Sequence, residues 1–593
     1  MSSSALLSEC DGGPIETVPS LWYYLRHALE INSDGIALII DHQKTSRLTE
    51  LLGTEGSAED KHLDQSLVCT FTQLHEGCLK LCAGLIKEGV QPGDTISVFL
   101  FHGIEFVLFI WAAAILKVTL AVLDPGSLLP ARHGQLLGFL KITKPNVVVV
   151  SAATEAEIIE DAVDALGVPR SIGIFLESCS TSSTAWKSLV DVMRLGIANP
   201  VDEDALHESA LHDDPARTAW IYFTSGTSVG SPKGCPRTVH SIAHYVMNLA
   251  MPSPKDSGTP SRFLVPTANY RIAAGASLYT ALRNGYTVIL SGATFDPGAF
   301  IRTIAKWQVN SALLIPSQFY EVARHPEFSA DRMKSVVMMT TGGDIITRRH
   351  FEIIKRMFPS VFLHLIVYSM TEGSGWVMGP FSPALPVDQI PFVDDICPAG
   401  RVKPGTRVRI WNSKRNEIVR RGETGELIIS SRSIIPQYLG SDSANKNGFF
   451  TDEEGCRWFR TGDRAMMNDS GLIYITGRTS SIFKRGGVPV NPVALEKNIA
   501  SFLGADQLVC VVPVPSRTLG HAPLAVISSL AGREKKDILD HNIQKFGDSY
   551  ALADVVEMKE LGLDVWPINA AGKVMKTDIL AALDRSGYAK ELP

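Results

Sequence analysis

Short apolar runs alternate with segments of helical periodicity, and this constrains the chain more than any other feature. Residues 67–71, 97–100 and 146–150 read as buried strands, and residues 106–116 as a helix between two of them. Strands that alternate with helices form a sheet whose faces the helices cover, so residues 21–150 point to an α/β layered fold. A second alternating stretch runs from residue 218 to about residue 377. Residues 192–216, polar and acidic with Pro200 and Pro215, read as a surface linker. From residue 400 to 476 the pattern changes. Residues 407–411, 426–429 and 472–475 are short strand signals between Gly-rich turns, which suggests a small barrel or meander. The final stretch reads as a separate unit. Asn491 is an N-cap followed by Pro492 at the first helical position, and Leu495, Ile499 and Leu503 form a stripe that Gly504 closes. Residues 508–512 and 522–528 read as strands, and Leu539, Ile543 and Phe546 begin another helix face.

The composition of the 593 residues, 45% hydrophobic and 20% charged, is globular. The formal charge of −6 argues against nucleic acid as a main partner. The most apolar region, residues 98–123, is cut by Glu105 and Lys117, leaving only residues 106–116 uncharged between them. A membrane span needs about 20 residues, so a buried core helix is expected instead. The N-terminus has neither a basic start nor a long apolar run, and the nine cysteines are scattered. Both fit reduced thiols in a cytoplasmic protein. His75, Cys78 and Cys82 invite a metal reading. However, Leu74, Cys78, Cys82 and Leu85 are spaced as an apolar helix stripe and no CxxC pair completes a zinc site, so a core role is the expectation.

The strongest local signal for chemistry lies in residues 219–234. An apolar strand enters a loop of Gly and hydroxyl residues: Thr224, Ser225, Gly226, Thr227, Ser228, Val229 and Gly230, with Lys233 near its end. Glycines let successive backbone N–H groups converge on an anion. The hydroxyls add donors and Lys233 adds charge. The spacing is not that of a Walker A loop, because Gly226 and Gly230 have three residues between them and Ser follows Gly230. On its residues alone the loop fits either a phosphate cradle or a flexible surface turn.

This loop resembles the phosphate loop of the adenylate-forming superfamily, which includes acyl-CoA synthetases, adenylation domains and beetle luciferases, but it is one residue longer, near Val229. The resemblance continues in order along the chain. Residues 341–344, with Gly342 and Gly343, resemble the turn against adenine. Residues 368–372, with Tyr368, Ser369, Thr371 and Glu372, resemble the Y-G-x-T-E motif with Ser in place of Gly. Residues 458–463 resemble Y-[RK]-T-G-D. Arg478 opens a segment in which Lys484, Gly487, Pro492 and Glu496 keep the family offsets, and residues 567–573 resemble P-x-T-x-x-G-K.

The resemblance implies a large AMP-binding domain, residues 1–476, made of two α/β layered halves and a β-rich piece. It also implies a small mobile α+β cap, residues 477–593. The implied reaction is activation of a carboxylic acid by ATP as acyl-adenylate with release of pyrophosphate, then transfer to CoA. A stand-alone enzyme that loads a separate carrier protein is the alternative. The phosphate loop would hold the β- and γ-phosphates and Thr371 would donate to the α-phosphate. Glu372 would bind Mg²⁺, Tyr368 would stack on adenine, and Asp463 would accept the ribose hydroxyls. Arg478 would sit near the ribose, and Lys573 would bridge the attacking carboxylate and the phosphate oxygens. Two positions depart from the family. Ser480 stands where the hinge usually has Asp or Lys, and the aromatic-His pair of the acid pocket is replaced around Asn269 and Tyr270. Arg271 either pairs with a second carboxylate on the substrate or is a surface residue.

Overall fold

A computed structural model describes residues 6–53, 66–169, 171–177, 185–224, 232–249, 261–381, 389–504, 507–516, 518–568 and 574–588. Among these residues the strands form four sheets. The first has the order Gly234–Thr238, Thr218–Phe223, Thr119–Val122, Thr95–Val98, Val147–Val150, Ile172–Phe175, Trp186–Ser188. It is parallel except at the Gly234–Thr238 edge. The second sheet has a parallel centre running from Leu363–Met370 through Met338–Gly342, Ser311–Leu314, Arg262–Leu264 and Thr287–Leu290 to Ile36–Lys44. Antiparallel strands close both of its sides.

The α/β layered class expected from the alternation holds, but the two sheets do not divide the chain where the pattern suggests. The strand read at residues 67–71 spans Ser66–Thr70 and lies at the edge of the second sheet, beside Ile36–Lys44. It is not in the sheet that holds Thr95–Val98 and Val147–Val150. Conversely, Thr218–Phe223 completes the first sheet against Thr119–Val122. An apolar run signals burial on a sheet but carries no address for its partner.

The apolar region forms a helix, Ile104–Leu116, buried at every position. An all-round apolar helix belongs in a core. Its single charge, Glu105, accepts from Arg47 Nε and Gln43 Nε2, each at 2.7 Å. No helix of the described residues is long and apolar enough to cross a membrane. Cys78 and Cys82 lie in the core, as the stripe on Phe71–Lys87 predicts. The stretch read as a linker is helical instead, covering the end of Leu189–Ala198 and all of Glu203–Leu211. Asp202 caps the latter by accepting from Ala205 N at 3.0 Å, so a polar sequence hides a helix buried on one side only.

The strand-rich piece forms an antiparallel sheet built on Thr406–Asn412, Thr424–Ser431 and Arg457–Met467, with Glu9–Asp11 joining its edge. The fourth sheet uses Phe483–Arg485, Val488–Val490, Val509–Ser516, Gly520–Ile527 and Asp554–Glu557. Its helix Pro492–Leu503 begins as expected, with Asn491 Oδ1 accepting from Val493 N, and buries Leu495, Ile499 and Leu503. On Lys535–Phe546 the fully buried positions are Ile538 and Asn542, while Leu539 and Phe546 pack at the edge of the core.

Candidate active site

Ligands of open parallel sheets bind beyond the carboxyl ends of the strands. A cavity of about 630 Å³ opens there on the second sheet. Pro316, Gly343, Asp344, Tyr368, Asp463 and Arg478 are among its lining residues. The Met338–Gly342 strand ends at the two glycines, and both are needed. A Cβ on Gly342 would stand 2.6 Å from the Val367 carbonyl oxygen, and Gly343 has φ +81°. A flat turn therefore passes close beside the Tyr368 strand, leaving room for a planar group.

The Tyr368 hydroxyl donates to Asp463 Oδ2 at 2.7 Å, and Arg478 Nε lies 3.0 Å from Asp463 Oδ1. Asp463 and Arg478 face each other in the register of Arg457–Met467 and Ile473–Arg478, which sets this pairing through the backbone. Asp463 is only 6% exposed, and its N–H bonds to Thr461 Oγ1 at 3.0 Å. Burial, then the Asp463 charge, push the Tyr368 hydroxyl well above the ordinary tyrosine value, so it stays a donor. The carboxylate of Asp463 raises the affinity of Arg478 for its proton. A carboxylate has about four acceptor positions, so Asp463 keeps capacity for hydroxyl donors beyond these two.

Thr371 and Glu372 form the tip of a tight hairpin, since Met370 pairs with Gly373 across them. The hairpin projects from the carboxyl end of Leu363–Met370. Glu372 Oε1 accepts from the Tyr438 hydroxyl at 2.6 Å, leaving Oε2 for a cation. Lys233 Nζ lies 5.1 Å from the centroid of the same Tyr438 ring. The Gly234 N–H and C=O bond to the Leu439 backbone at 3.0 and 2.8 Å, which fastens the end of the Gly-rich loop beside Glu372. Thr224 Oγ1 is buried without a hydrogen-bond partner among the described residues. Ser225, Gly226, Thr227, Ser228 and Gly230 lie outside the described residues. Phe223 and Gly234, which flank them, pair directly at the carboxyl end of Thr218–Phe223.

Lys573 also lies outside the described residues. Its flanks are placed: Ile568 and Val574 bridge each other, and Met575 N donates to Pro567 O at 2.7 Å. Val574 lines the same cavity as Tyr368 and Asp463. Lys576 lines it too, with Nζ 2.7 Å from Glu496 Oε1 and 2.9 Å from Val511 O. Lys484 is exposed and does not line the cavity. Ser480 is the middle residue of a 3₁₀ turn, Thr479–Ser481, directly after Arg478.

A second group of polar residues gathers where the carboxyl ends of both parallel sheets meet. His102 follows Thr95–Val98, Asp124 follows Thr119–Val122, and Thr267, Asn269 and Arg271 follow Arg262–Leu264. His102 Nε2 lies 2.6 Å from Thr267 O. Asn269 is 1% exposed, yet among the described residues neither atom of its amide has a partner. Thr267 Oγ1 and Arg271 Nε are likewise buried and without a partner among the described residues. Arg271 is therefore not a surface residue. Burial lowers its affinity for its proton, and Tyr270 and Asp124 offset this only in part.

The family model for AMP-binding enzymes matches residues 57–439. An acyl-CoA ligase of Pestalotiopsis microspora is 32% identical over 98% of this chain and 99% of its own length. The chain belongs to the AMP-binding enzyme family. Solved structures of similar fold include ATP-bound MatB from Rhodopseudomonas palustris, with a TM-score of 0.72 and 16% identity over 95% of this chain and 99% of that one. Another is o-succinylbenzoate-CoA synthetase from Bacillus subtilis in complex with ATP and magnesium ion, with a TM-score of 0.67 and 18% identity over 94% and 99%.

For this AMP-binding enzyme, three residues escaped the motif reading. Tyr438 holds Glu372, and Lys576 holds Glu496. Arg237 is 1% exposed behind Glu372, bonded to Ser241 Oγ at 2.6 Å with Nη1 unpartnered. Burial lowers its pKa to about 10, so it still carries charge at neutral pH. Only Arg237 left a trace in the sequence, as a charge inside the apolar pattern that follows the loop.

Proposed function

We propose that the enzyme is an AMP-forming acid–CoA ligase in which residues 1–476 bind ATP and the acid and residues 477–593 form a cap that serves both half-reactions. The observation that carries this reading is the meeting at one cavity of the Gly342–Gly343 turn, Tyr368, Asp463 and Arg478 with Val574 at the base of the Lys573 loop. A carboxylate oxygen of the acid attacks the α-phosphorus of ATP, and the bond to pyrophosphate breaks. The CoA sulfur, as thiolate, then attacks the acyl carbon and AMP leaves.

Charge must be neutralised on both sides of the phosphorus. Lys233 and the loop from Thr224 to Gly230 hold the leaving phosphates, Thr371 donates to the α-phosphate, and Lys573 meets the charge that develops as the bond forms. Glu372 fits Mg²⁺, a hard cation that takes one or two carboxylates together with phosphate oxygens and balances their charge. Tyr368 and the Gly342–Gly343 turn sandwich the base. Asp463 accepts the ribose hydroxyls, and Arg478 fixes its carboxylate.

The unpartnered polar atoms of Asn269, Arg271 and Thr267 support an acid that carries a second polar or anionic group, since an unpartnered buried amide is costly without a ligand. The test is a panel of carboxylic acids matched in size, with and without such a group, assayed by pyrophosphate release with and without CoA. CoA-dependent release of AMP with a polar acid is the expected result. Release that requires a carrier protein instead would establish the alternative acceptor. Arg271→Gln should erase the preference for the polar acid while the apolar acids keep their rates.

A further inference from the structure

His75 has different neighbours from those its sequence suggests. Cys78 and Cys82 turn into the core, whereas the imidazole of His75 faces the Glu203–Leu211 helix. Glu203 and His207 lie four residues apart on that helix, so they share one face. His75 Nε2 is 3.1 Å from His207 Nε2 and 3.8 Å from Glu203 Oε1. Glu203 Oε1 is also 3.9 Å from His207 Nδ1. One ligand atom from each of the three residues lies within 4.8 Å of the other two.

We propose that His75, Glu203 and His207 form a binding site for a divalent transition-metal ion, with Zn²⁺ the cation that fits best. Two nitrogens at about 2.0–2.1 Å from a tetrahedral zinc stand about 3.3–3.4 Å apart. The imidazole pair needs to open by only a few tenths of an ångström to admit the ion. Two histidines and one carboxylate make a borderline donor set that suits zinc better than magnesium or calcium. Each imidazole in its neutral form offers one ring nitrogen's lone pair to a metal. Trp22, fully buried, packs over both rings with centroids 5.6 Å from His75 and 4.7 Å from His207, which restricts their rotation. The histidine side chains are 14% and 16% exposed and that of Glu203 53% exposed, so the ion enters from the carboxylate side and keeps a water in its fourth position. None of the three residues lines the nucleotide cavity. The ion would tie the Glu203–Leu211 helix to the Phe71–Lys87 helix.

The full-length protein, freed of metal by a chelator, is titrated with Zn²⁺ by calorimetry and with Co²⁺ by visible absorption. The expected result is one equivalent of Zn²⁺ bound with a Kd of about 1 μM or tighter, and intense d–d bands from tetrahedral cobalt. Zinc should also raise the melting temperature. His207→Ala and the gentler Glu203→Gln should each weaken zinc at least about tenfold, abolish the melting shift and leave pyrophosphate release unchanged. Without an ion, the ring contact is satisfied by a single N–H···N hydrogen bond. Absence of a bound equivalent in the wild type, or equal zinc affinity in wild type and variants, would leave only that hydrogen bond and overturn the proposal.

Discussion

Replacing Asp463 tests the nucleotide site most directly. In Asp463→Ala the Tyr368 hydroxyl loses its acceptor at 2.7 Å and Arg478 loses its partner at 3.0 Å. A bound ribose would lose a charged acceptor as well. Hydrogen bonds to charged groups are worth about 1.5–3 kcal/mol, equivalent to about 10–150-fold in Kd. The Tyr368 hydroxyl, half-buried at the cavity wall with Thr461 beside it, loses its charged acceptor, which costs a further ~1 kcal/mol of stability. Calorimetric titration with ATP should therefore be run well below the lowered melting temperature. Tyr368→Phe separates the two effects. It removes the hydroxyl but keeps the ring beside the Gly342–Gly343 turn, so ATP affinity should change by no more than about threefold. A folded Asp463→Ala variant that binds ATP within twofold of wild type would refute the assignment of Asp463 to the ribose.

Lys573→Ala should slow adenylation by about 10²–10³-fold and change ATP affinity far less, and single-turnover formation of acyl-AMP measures both. Ser480→Pro should trap the cap in one orientation, because proline fixes φ near about −65° and also restricts Thr479 before it in the 3₁₀ turn. Acyl-AMP should then form as a burst of about one equivalent that CoA cannot discharge, and normal rates of both steps would place the hinge elsewhere. Lys497, where the cap meets Asp344, Asp394 and Asp395, has its pKa lowered by burial to about 8. A cation depressed in the docked state holds fewer protons there than when released. Docking is therefore penalised below about pH 8 and strengthens as pH rises from 8 towards the ordinary lysine value near 10.4. Proteolytic protection of the cap should follow that rise in the wild type and lose it in Lys497→Met.

The layered class, the core helix and the order of the site motifs were legible in the sequence. These features depend on local pattern: the burial of residues 104–116, the Asn491 cap and the Gly342–Gly343 turn all follow from residues close in the chain. What could not be read depends on which segments meet. Tyr438 reaches Glu372 across 66 residues, and Lys576 reaches Glu496 across 80. The helical nature of residues 203–211 was hidden by a composition that keeps one face in water. His75 pointed to cysteines on its own helix, whereas its neighbours come from a helix more than a hundred residues away.

The crossed membership of the two parallel sheets also governs how the chain can be made. Leu38 pairs with Val288, and Leu120 with Trp220. At about 5–20 residues per second, the strand around Leu38, paired early with Ser66–Thr70 on one side, waits on the order of 12–50 s for its parallel neighbour on the other to leave the ribosome. Contacts this distant in sequence slow folding and leave apolar edges uncovered in the meantime. A nascent chain that ends between residues 98 and 238 carries strands of both sheets and can complete neither, and the second sheet stays incomplete until residue 402. Such fragments should be insoluble unless a chaperone holds them, and domain-by-domain expression of the N-terminal half should fail even though the finished enzyme is well packed.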